Sequence, residues 1–534
     1  MNSGILARGE RTSPLAFWLG AIAVTVGVAL HLPMFFESAS MGYMMAGMPM
    51  DWGMIIGMGL IVAGCAAAAY GLLPKAAQDL QPASPEDLLL PEGEAQDQLT
   101  PAHWHLMLTL TFALIIDTMK PASLGFVVPG MAKEYNISRA TVALLPFFAL
   151  FGTTVGSLGW GFLADRLGRR AAILLAAIMF IGTAICGAMP SFYWNLFMCF
   201  LMGAAAGGMM PITFTLLAEL VPTRHRGWFL VALGGFGLSA GYLGASTAAA
   251  LLEPHFGWRI MWFLGLPTGI LLILLNGFIP ESPKFLMLRG RTQEALAIMR
   301  RFKAHLAIQQ WSCALGVEET GAADTSSLFK RPFAGISASV NLAALAWSLV
   351  NFGLVLWLPA DLRARGFDVQ ASDALLAQSS LAALPTAALT AWLYAQWSTK
   401  WTVVLLGLVT AGGLAGVSLM GTGVFGDNPL PLIAILLVGS NGLIAALLPY
   451  TAEIYPLMVR GRGTGFVAGS SKIGGMAGQI LALAGVVPGL TAAALVLTAP
   501  MVAAAGMIAR FGPETRERSL DEVDCQRPTE VNLG

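Results

Sequence analysis

The sequence predicts an all-α integral membrane protein: a twelve-helix core of two six-helix bundles related by a pseudo-twofold axis, preceded by two extra amino-terminal transmembrane helices. Three observations predict it. Of the 534 residues, 56% are hydrophobic and only 11% charged, with a mean hydropathy of +0.71, which leaves too little polar surface for a soluble chain of this size. Apolar runs of roughly 20 residues, the length a helix needs to cross about 30 Å of hydrocarbon, recur along the chain. Finally, the skeleton A-E-x-x-P-x-x-x-R-G occurs twice, as A-E-L-V-P-T-R-H-R-G at Ala218 to Gly227 and as A-E-I-Y-P-L-M-V-R-G at Ala452 to Gly461, each time between two apolar runs. A repeat at corresponding turns is the trace of a transporter made of two similar bundles around a shared axis.

The first two spans, near 15–35 and 52–74, form a hairpin within residues 1–75. Arg8 and Arg11 before an apolar stretch also fit a cleavable signal, but the stretch from about Leu15 to Met34 is long enough to span and reads as a retained helix. Residues 76–103 are a linker holding Asp79, Glu86, Asp87, Glu92, Glu94 and Asp97 with several prolines, a composition that buries no core. Six spans follow within 104–280, then a polar loop over 281–332, six more spans within 333–511, and a tail over 512–534. In the polar loop, Ala295, Leu296, Met299 and Phe302 give Thr292 to His305 the apolar stripe of a short amphipathic helix.

Orientation follows from the lysines and arginines. With both termini in the cytoplasm, only Lys133, Arg139, Arg259, Arg363 and Arg365 of the 30 face outward, and Lys120 and Lys472 fall within spans. The remainder lie inside, as the positive-inside rule requires for a multi-pass protein of a bacterial-type inner membrane. A net charge of zero and the lack of any basic run interleaved with aromatics exclude a nucleic-acid partner. Cys65, Cys186, Cys199, Cys313 and Cys525 have no paired spacing, so no disulfide framework, zinc site or cofactor is implied.

Once loops and ends are assigned, Asp117, Lys120 and Lys472 remain as charged side chains near mid-membrane. Each costs about 2.5 to 3.5 kcal/mol at a helix centre on insertion scales, so their presence points to use. Asp117 and Lys120 stand at i and i+3 beside Pro121, so they read either as a self-neutralising pair or as part of a proton or substrate path. Lys472 has no acidic neighbour in its span and lies among Gly474, Gly475 and Gly478, which allow close helix packing. A pair between Asp117 and Lys472 across the two halves is the other reading. The uncharged candidates for a cavity wall are Thr213, Asn341, Trp347, Asn351, Gln378, Asn441, Tyr450 and Gln479, all equally able to serve as interhelical hydrogen-bond partners.

Between the leading spans, Met34, Met41, Met44, Met45, Met48, Met50 and Met54 cluster near His31. Thioethers are soft ligands, so Met41, Met44, Met45, Met48 and Met50 suit Cu(I); methionine equally serves as adaptable apolar packing.

Between the second and third core spans the chain reads G-W-G-F-L-A-D-R-L-G-R-R at Gly159 to Arg170, which resembles the signature loop of the major facilitator superfamily. P-E-S-P-K-F-L at Pro280 to Leu286 and P-E-T-R-E-R-S-L-D-E-V at Pro513 to Val523 resemble its sugar-porter and organic-ion branches, as do the repeated decapeptides. The resemblance covers about 104–523. It implies gating by Gly161, Asp165, Arg166, Gly168, Arg169 and Arg170, and a charge network of Glu219, Arg226, Glu281, Glu453, Arg460 and Glu514 that closes one end. The seventh core span lacks the glutamine pair with which sugar porters hold hydroxyls, and the fifth has no glutamine, which disfavours a sugar. Cys199 stands about where many proton-linked relatives carry an arginine, and the counterpart of the signature loop at Gln396 to Thr402 is degenerate, so the halves are expected to gate unequally. In the organic-ion branch the Lys472 position looks basic in anion carriers.

These readings converge on a secondary active transporter working by alternating access, monomeric, with the lipid bilayer as its surroundings and a small organic solute, an anion such as a carboxylate, as its substrate. Asn351, Gln378, Asn441 and Tyr450 join Asp117, Lys120 and Lys472 as substrate or proton groups. A coupled proton through Asp117 is compatible with this. The alternatives are transport of copper or another metal through the methionine-rich turn, and a membrane sensor or assembly factor that keeps the fold without the cycle.

Overall fold

The computed structural model describes residues 13–73, 98–289, 291–303, 333–420, 428–455, 457–485 and 489–516, and among them there are helices and no strands. Among the described residues thirteen helices are long and apolar enough to cross a membrane. They are α1 (Pro14–Met41), α2 (Trp52–Leu72), α3 (Pro101–Glu134), α4 (Arg139–Leu167), α5 (Arg169–Ala188), α6 (Phe192–Leu220), α7 (Arg224–Phe256), α8 (Ile260–Phe278), α10 (Ala334–Ala364), α11 (Val369–Gln396), α12 (Thr399–Ser418), α13 (Leu430–Ile454) and α15 (Leu490–Phe511). The remaining expected span is the continuous helix α14 (Leu457–Leu483), and the amphipathic segment forms α9 (Thr292–Phe302). The acidic linker before residue 98 and the segment 304–332 lie outside the described residues.

Helix ends follow local chemistry. Thr100 and His103 form a capping box that starts α3 at Pro101, three residues before the expected position. Asp51, Asp368 and Ser398 each accept a backbone N–H from the first turn of α2, α11 and α12, at 2.7, 2.6 and 2.9 Å, which satisfies an amide left free by the helix geometry. Pro222 separates α6 from α7, and the second copy of the decapeptide spans the break between α13 and α14, so the repeat does occupy corresponding turns.

The leading hairpin closes on glycine. A Cβ on Gly20 would lie 2.5 Å from the Gly64 carbonyl oxygen, and one on Gly27 would lie 2.6 Å from that of Gly57, so α1 and α2 touch backbone to backbone. Both helices then pack on α5, where Ile61 reaches Gly182. Facing lipid, Trp18, Ile22 and Val26 of α1 leave an apolar crevice against Ile270 and Leu274 of α8.

The two halves meet along α7, which packs on α11 and α13, and along α14, which packs on α4. One end of the molecule carries the Gly159–Arg170 loop, both decapeptides and α9, and is called here the loop end. The opposite, far end carries two ion pairs that join the halves. Arg139 meets Asp361 at 3.0 Å, and Arg363 meets Glu253 at 3.1 Å.

Candidate functional site

Near the middle of the helices, the polar groups that hydropathy singled out divide into three places. Asp117 of α3 is 7% exposed, and its Oδ1 is buried with no hydrogen-bond partner. Lys472 of α14, half-buried, faces it electrostatically from the opposite half, yet among the described residues no ion pair within 4.0 Å joins them. Around Lys472, Gly475 allows α14 to approach Leu150 of α4 and Ser348 and Phe352 of α10. Gln479 donates to the Phe352 carbonyl at 2.5 Å, and Trp347 donates to the Ser440 carbonyl at 2.9 Å. The Trp347 and Phe352 rings stand edge to face at 6.0 Å.

The same region leaves buried polar atoms unpartnered: Ser348 Oγ, Ser440 Oγ, Asn441 Nδ2 and Gln479 Oε1, besides Asp117 Oδ1. A buried polar atom without a partner costs about 1–3 kcal/mol, and native proteins rarely retain several together unless something else fills them. The ammonium, the aromatic faces and all of these spare atoms except Asp117 Oδ1 come from α10, α13 and α14 of the second half, and Asp117 faces them from the first. Asn351 is half-buried and Gln378 is exposed.

Lys120 corrects the expectation of a pair with Asp117. Its ammonium turns into the first bundle, donating to the Phe180 carbonyl and, at 2.8 Å, to Thr183 Oγ1, with the Phe180 ring 5.3 Å away and the Cys186 and Cys199 thiols beside it. The α5 backbone tightens to a 3-10 turn at Thr183–Ala188, which frees the carbonyl that Lys120 takes. Tyr450 also leaves the midplane group: it is fully buried and donates to the Pro513 carbonyl at 2.8 Å, near the loop end. Asn341 and Thr213 are used between or within helices, Asn341 accepting from Ser470 at 2.7 Å.

At the loop end the residues expected to gate form two matching arrangements. In the first half the backbone N–H of Arg169 and Arg170 donate to Glu281 at 2.7 and 3.3 Å, so Glu281 caps the N-terminus of α5. Gly168, with φ +98, brings that turn so close that a Cβ would strike the Glu281 carboxylate. Ser282 donates to Glu219, which also pairs with Arg169 at 3.3 Å, and Arg169 reaches Asp165 at 3.7 Å. Asp165 is exposed, Arg166 lies over Phe162, and a Cβ on Gly161 would meet nothing within 4 Å, so this glycine makes no close helix approach. In the second half Glu514 caps α12 by accepting from the Thr399 backbone at 3.0 Å, and Thr515 donates to Glu453 at 2.7 Å. Glu-Ser after the sixth core span and Glu-Thr after the twelfth thus do the same work. The degenerate loop supplies hydroxyls of Ser398 and Thr399 in place of arginines. Arg226 acts on Glu453 electrostatically, and Gly227 touches it across the halves. The Arg460 side chain lies outside the described residues.

Burial raises Glu281 above its usual range despite its backbone donors. Burial also pushes Glu514 up, but hydrogen bonds from Ser398, Thr399 and the Arg516 backbone outweigh it and hold Glu514 below its usual range.

The methionine-rich turn is packed in part against the first bundle. Met45 is fully buried, Met48 and Met50 are half-buried, and Met41 and Met44 are exposed. Backbone N–H of Met45 and Ala46 donate to Glu134 at 2.7 and 2.9 Å, and Glu134 forms a buried ion pair with Arg259 at 2.6 Å. Sequence reasoning missed Glu134, Glu253, Arg259, Arg363 and Asp373, all charged and buried at the far end. Their position at span ends makes them look like solvated loop charges, and only the pairing of opposite signs at those ends hints otherwise.

Two helical halves, unpartnered polar groups between them and capped, charged turns at one end define a multi-pass membrane transporter, not an enzyme. The chain belongs to the sugar (and other) transporter family, whose model matches residues 118–526. It is 26% identical over 433 residues to the niacin transporter NiaP of Acinetobacter baylyi, covering 79% of this chain and 96% of that protein. It is 28% identical over 397 residues to the 4-hydroxybenzoate transporter PcaK of Pseudomonas putida, covering 72% of this chain and 86% of that one. Among solved structures, the proton:xylose symporter XylE bound to 6-bromo-6-deoxy-D-glucose matches with a TM-score of 0.64 at 19% identity, covering 79% of this chain and 98% of XylE, a likeness of fold. This is the fold of the major facilitator superfamily, and none of these likenesses favours copper.

Proposed function

We propose that this protein carries a monocyclic aromatic carboxylate across a bacterial inner membrane by alternating access, with both termini and the loop end in the cytoplasm and a single chain as the working unit. Lys472 is the observation that carries the reading: an ammonium facing Asp117 from the opposite half with no hydrogen bond among the described residues. It stands one helical turn from Gly475, against which Phe352 packs with Trp347 at its edge. Niacin and 4-hydroxybenzoate, the solutes named for the two relatives, each join one carboxylate to one flat ring. Lys472 receives the carboxylate, and the rings of Trp347 and Phe352 receive the flat face. Ser348, Ser440, Asn441 and Gln479 supply hydrogen bonds to ring substituents. When the anion takes Lys472, Asp117 loses its counter-charge, which favours its protonation, so that cargo and proton move together.

The test is uptake of labelled 4-hydroxybenzoate and niacin into proteoliposomes under an imposed pH gradient. Saturable uptake of either, lost in Lys472→Ala and reduced when the gradient is collapsed, supports the reading. Uptake of xylose but of no aromatic carboxylate overturns it, and uptake unaffected by the gradient removes the proton.

A further inference from the structure

At the far end, Arg363 of α10 holds two carboxylates at once. Its Nη1 and Nη2 donate to Glu253 of α7 at 3.1 Å each, and Nη2 donates to both oxygens of Asp373 of α11 at 3.1 Å. The Glu253 and Asp373 side chains are 6% and 0% exposed, and both carboxylates accept from the same Arg363 Nη2. Ser372 donates to Asp373 at 3.0 Å, so the hydroxyl adds no charge.

Of the neighbouring charges, Glu134 and Asp361 are engaged by arginines and Lys133 is exposed. On α7 the other titratable groups are Arg224, His225 and Arg226 at the opposite, loop end, Tyr242, which Asp373 faces, and His255, which stacks against Phe256. Packed on α7, α3 brings Glu134, held by Arg259, and Lys133 at this end. Asp361 of α10 is taken by Arg139. Packed on both α7 and α11, α13 has Glu453 as its one charged residue, at the opposite end, and α11 has Asp373 alone. One guanidinium against two ionised carboxylates would bury a net negative charge, and a desolvated group that lacks a counter-charge takes up a proton instead.

We infer that Glu253 and Asp373 share one proton under Arg363 and form a proton-binding latch that closes the far end between the halves. Glu253 belongs to the first half, and Arg363 and Asp373 to the second. When the far end opens, Arg363 and Asp373 stay together as a neutral pair, and Glu253 enters water as a carboxylate and releases the proton. Closing reverses this: Glu253 carboxylate, the Arg363–Asp373 pair and one proton combine into a neutral cluster. The latch acts whether or not a solute is aboard, so it stands apart from the identity of the cargo.

The experiment uses the full chain in lipid nanodiscs without solute, spin-labelled at the exposed far-end positions Tyr193 and Gln370 of the two halves, with inter-label distances recorded against pH. One bound proton makes the closed-to-open ratio rise up to tenfold for each unit by which pH falls. Glu253→Gln and Asp373→Asn each leave one positive and one negative group, so each is expected to remain closed with a flat pH response. In the infrared spectrum the carbonyl stretch of a protonated buried carboxyl is expected in the closed wild type and lost in either variant. A wild-type ratio indifferent to pH, a slope that survives in both variants, or an unchanged carboxyl band overturns the latch. Should one variant fail to fold, the other and the wild-type infrared band decide.

Discussion

A buried lysine is read by what its ammonium meets, and the two lysines here meet different things. Lys120 is saturated by a carbonyl and a hydroxyl inside one bundle, whereas Lys472 stands between halves with only a distant carboxylate. A charge-assisted hydrogen bond contributes about 1.5–3 kcal/mol, so Lys472→Ala is expected to lower kcat/KM for 4-hydroxybenzoate roughly 10- to 100-fold in vesicle uptake. Lys120→Met keeps the volume and removes the charge, and Thr183 already donates to the Phe180 carbonyl at 3.0 Å. That variant is expected to leave KM unchanged and to shift stability by no more than about 1–3 kcal/mol in thermal melting; a tenfold rise in KM would return Lys120 to the site. Hydropathy alone exposed Asp117 and Lys472, because an ionic group in an apolar run has few reasons to be there. The same reading misplaced Lys120, whose long stem reaches a carbonyl freed by a turn geometry that sequence spacing does not encode. It also passed over Glu253 and Asp373, since a charge at the end of a span costs little to expose and its burial depends on which helix comes to lie beside it.

At the scale of elements, apolar length fixed where helices cross, and glycine decides which of them touch. Lipid is as apolar as a neighbouring helix, so hydropathy carries no information on pairing, and the expected spans gave no hint that the leading hairpin docks on α5. Gly20 and Gly27, like Gly57 and Gly64, are seven residues apart, two helical turns, which places each pair on one face. That spacing was legible and is the physical reason the hairpin closes. Gly20→Val, with its Cβ 2.5 Å from the Gly64 carbonyl, is expected to destabilise the protein by about 1–3 kcal/mol, seen as a lower melting temperature. Gly59→Val meets nothing within 4 Å and is expected to melt at or above the wild-type temperature. Equal melting of the two would mean that the close approach does not hold the hairpin together.

Across the whole molecule, the repeated decapeptide and the two Pro-Glu strings announced a pseudo-twofold, and the matching caps of Glu281 on α5 and Glu514 on α12 embody it. The symmetry holds in the geometry of the caps and is broken in their proton affinity. Glu281 has two arginine amides and deep surroundings and is raised; Glu514 gathers hydroxyls and amides in a more open place and is lowered. The two therefore act on stability with opposite sign. A carboxyl raised in the folded state binds more protons there than in the unfolded chain, so its contribution is present at low pH and is lost as pH rises from the ordinary carboxylate range through the raised value. A lowered carboxyl contributes above the ordinary range and loses that contribution as pH falls through the lowered value. Melting temperature plotted against pH is expected to climb on the acid side and decline beyond the ordinary carboxylate range. Glu281→Gln should flatten the decline alone, and Glu514→Gln the climb alone, because glutamine still offers an oxygen to the capped amides but takes no proton. If either substitution flattens both limbs, the caps are coupled through the tightly packed α7 and do not titrate as separate halves of one design.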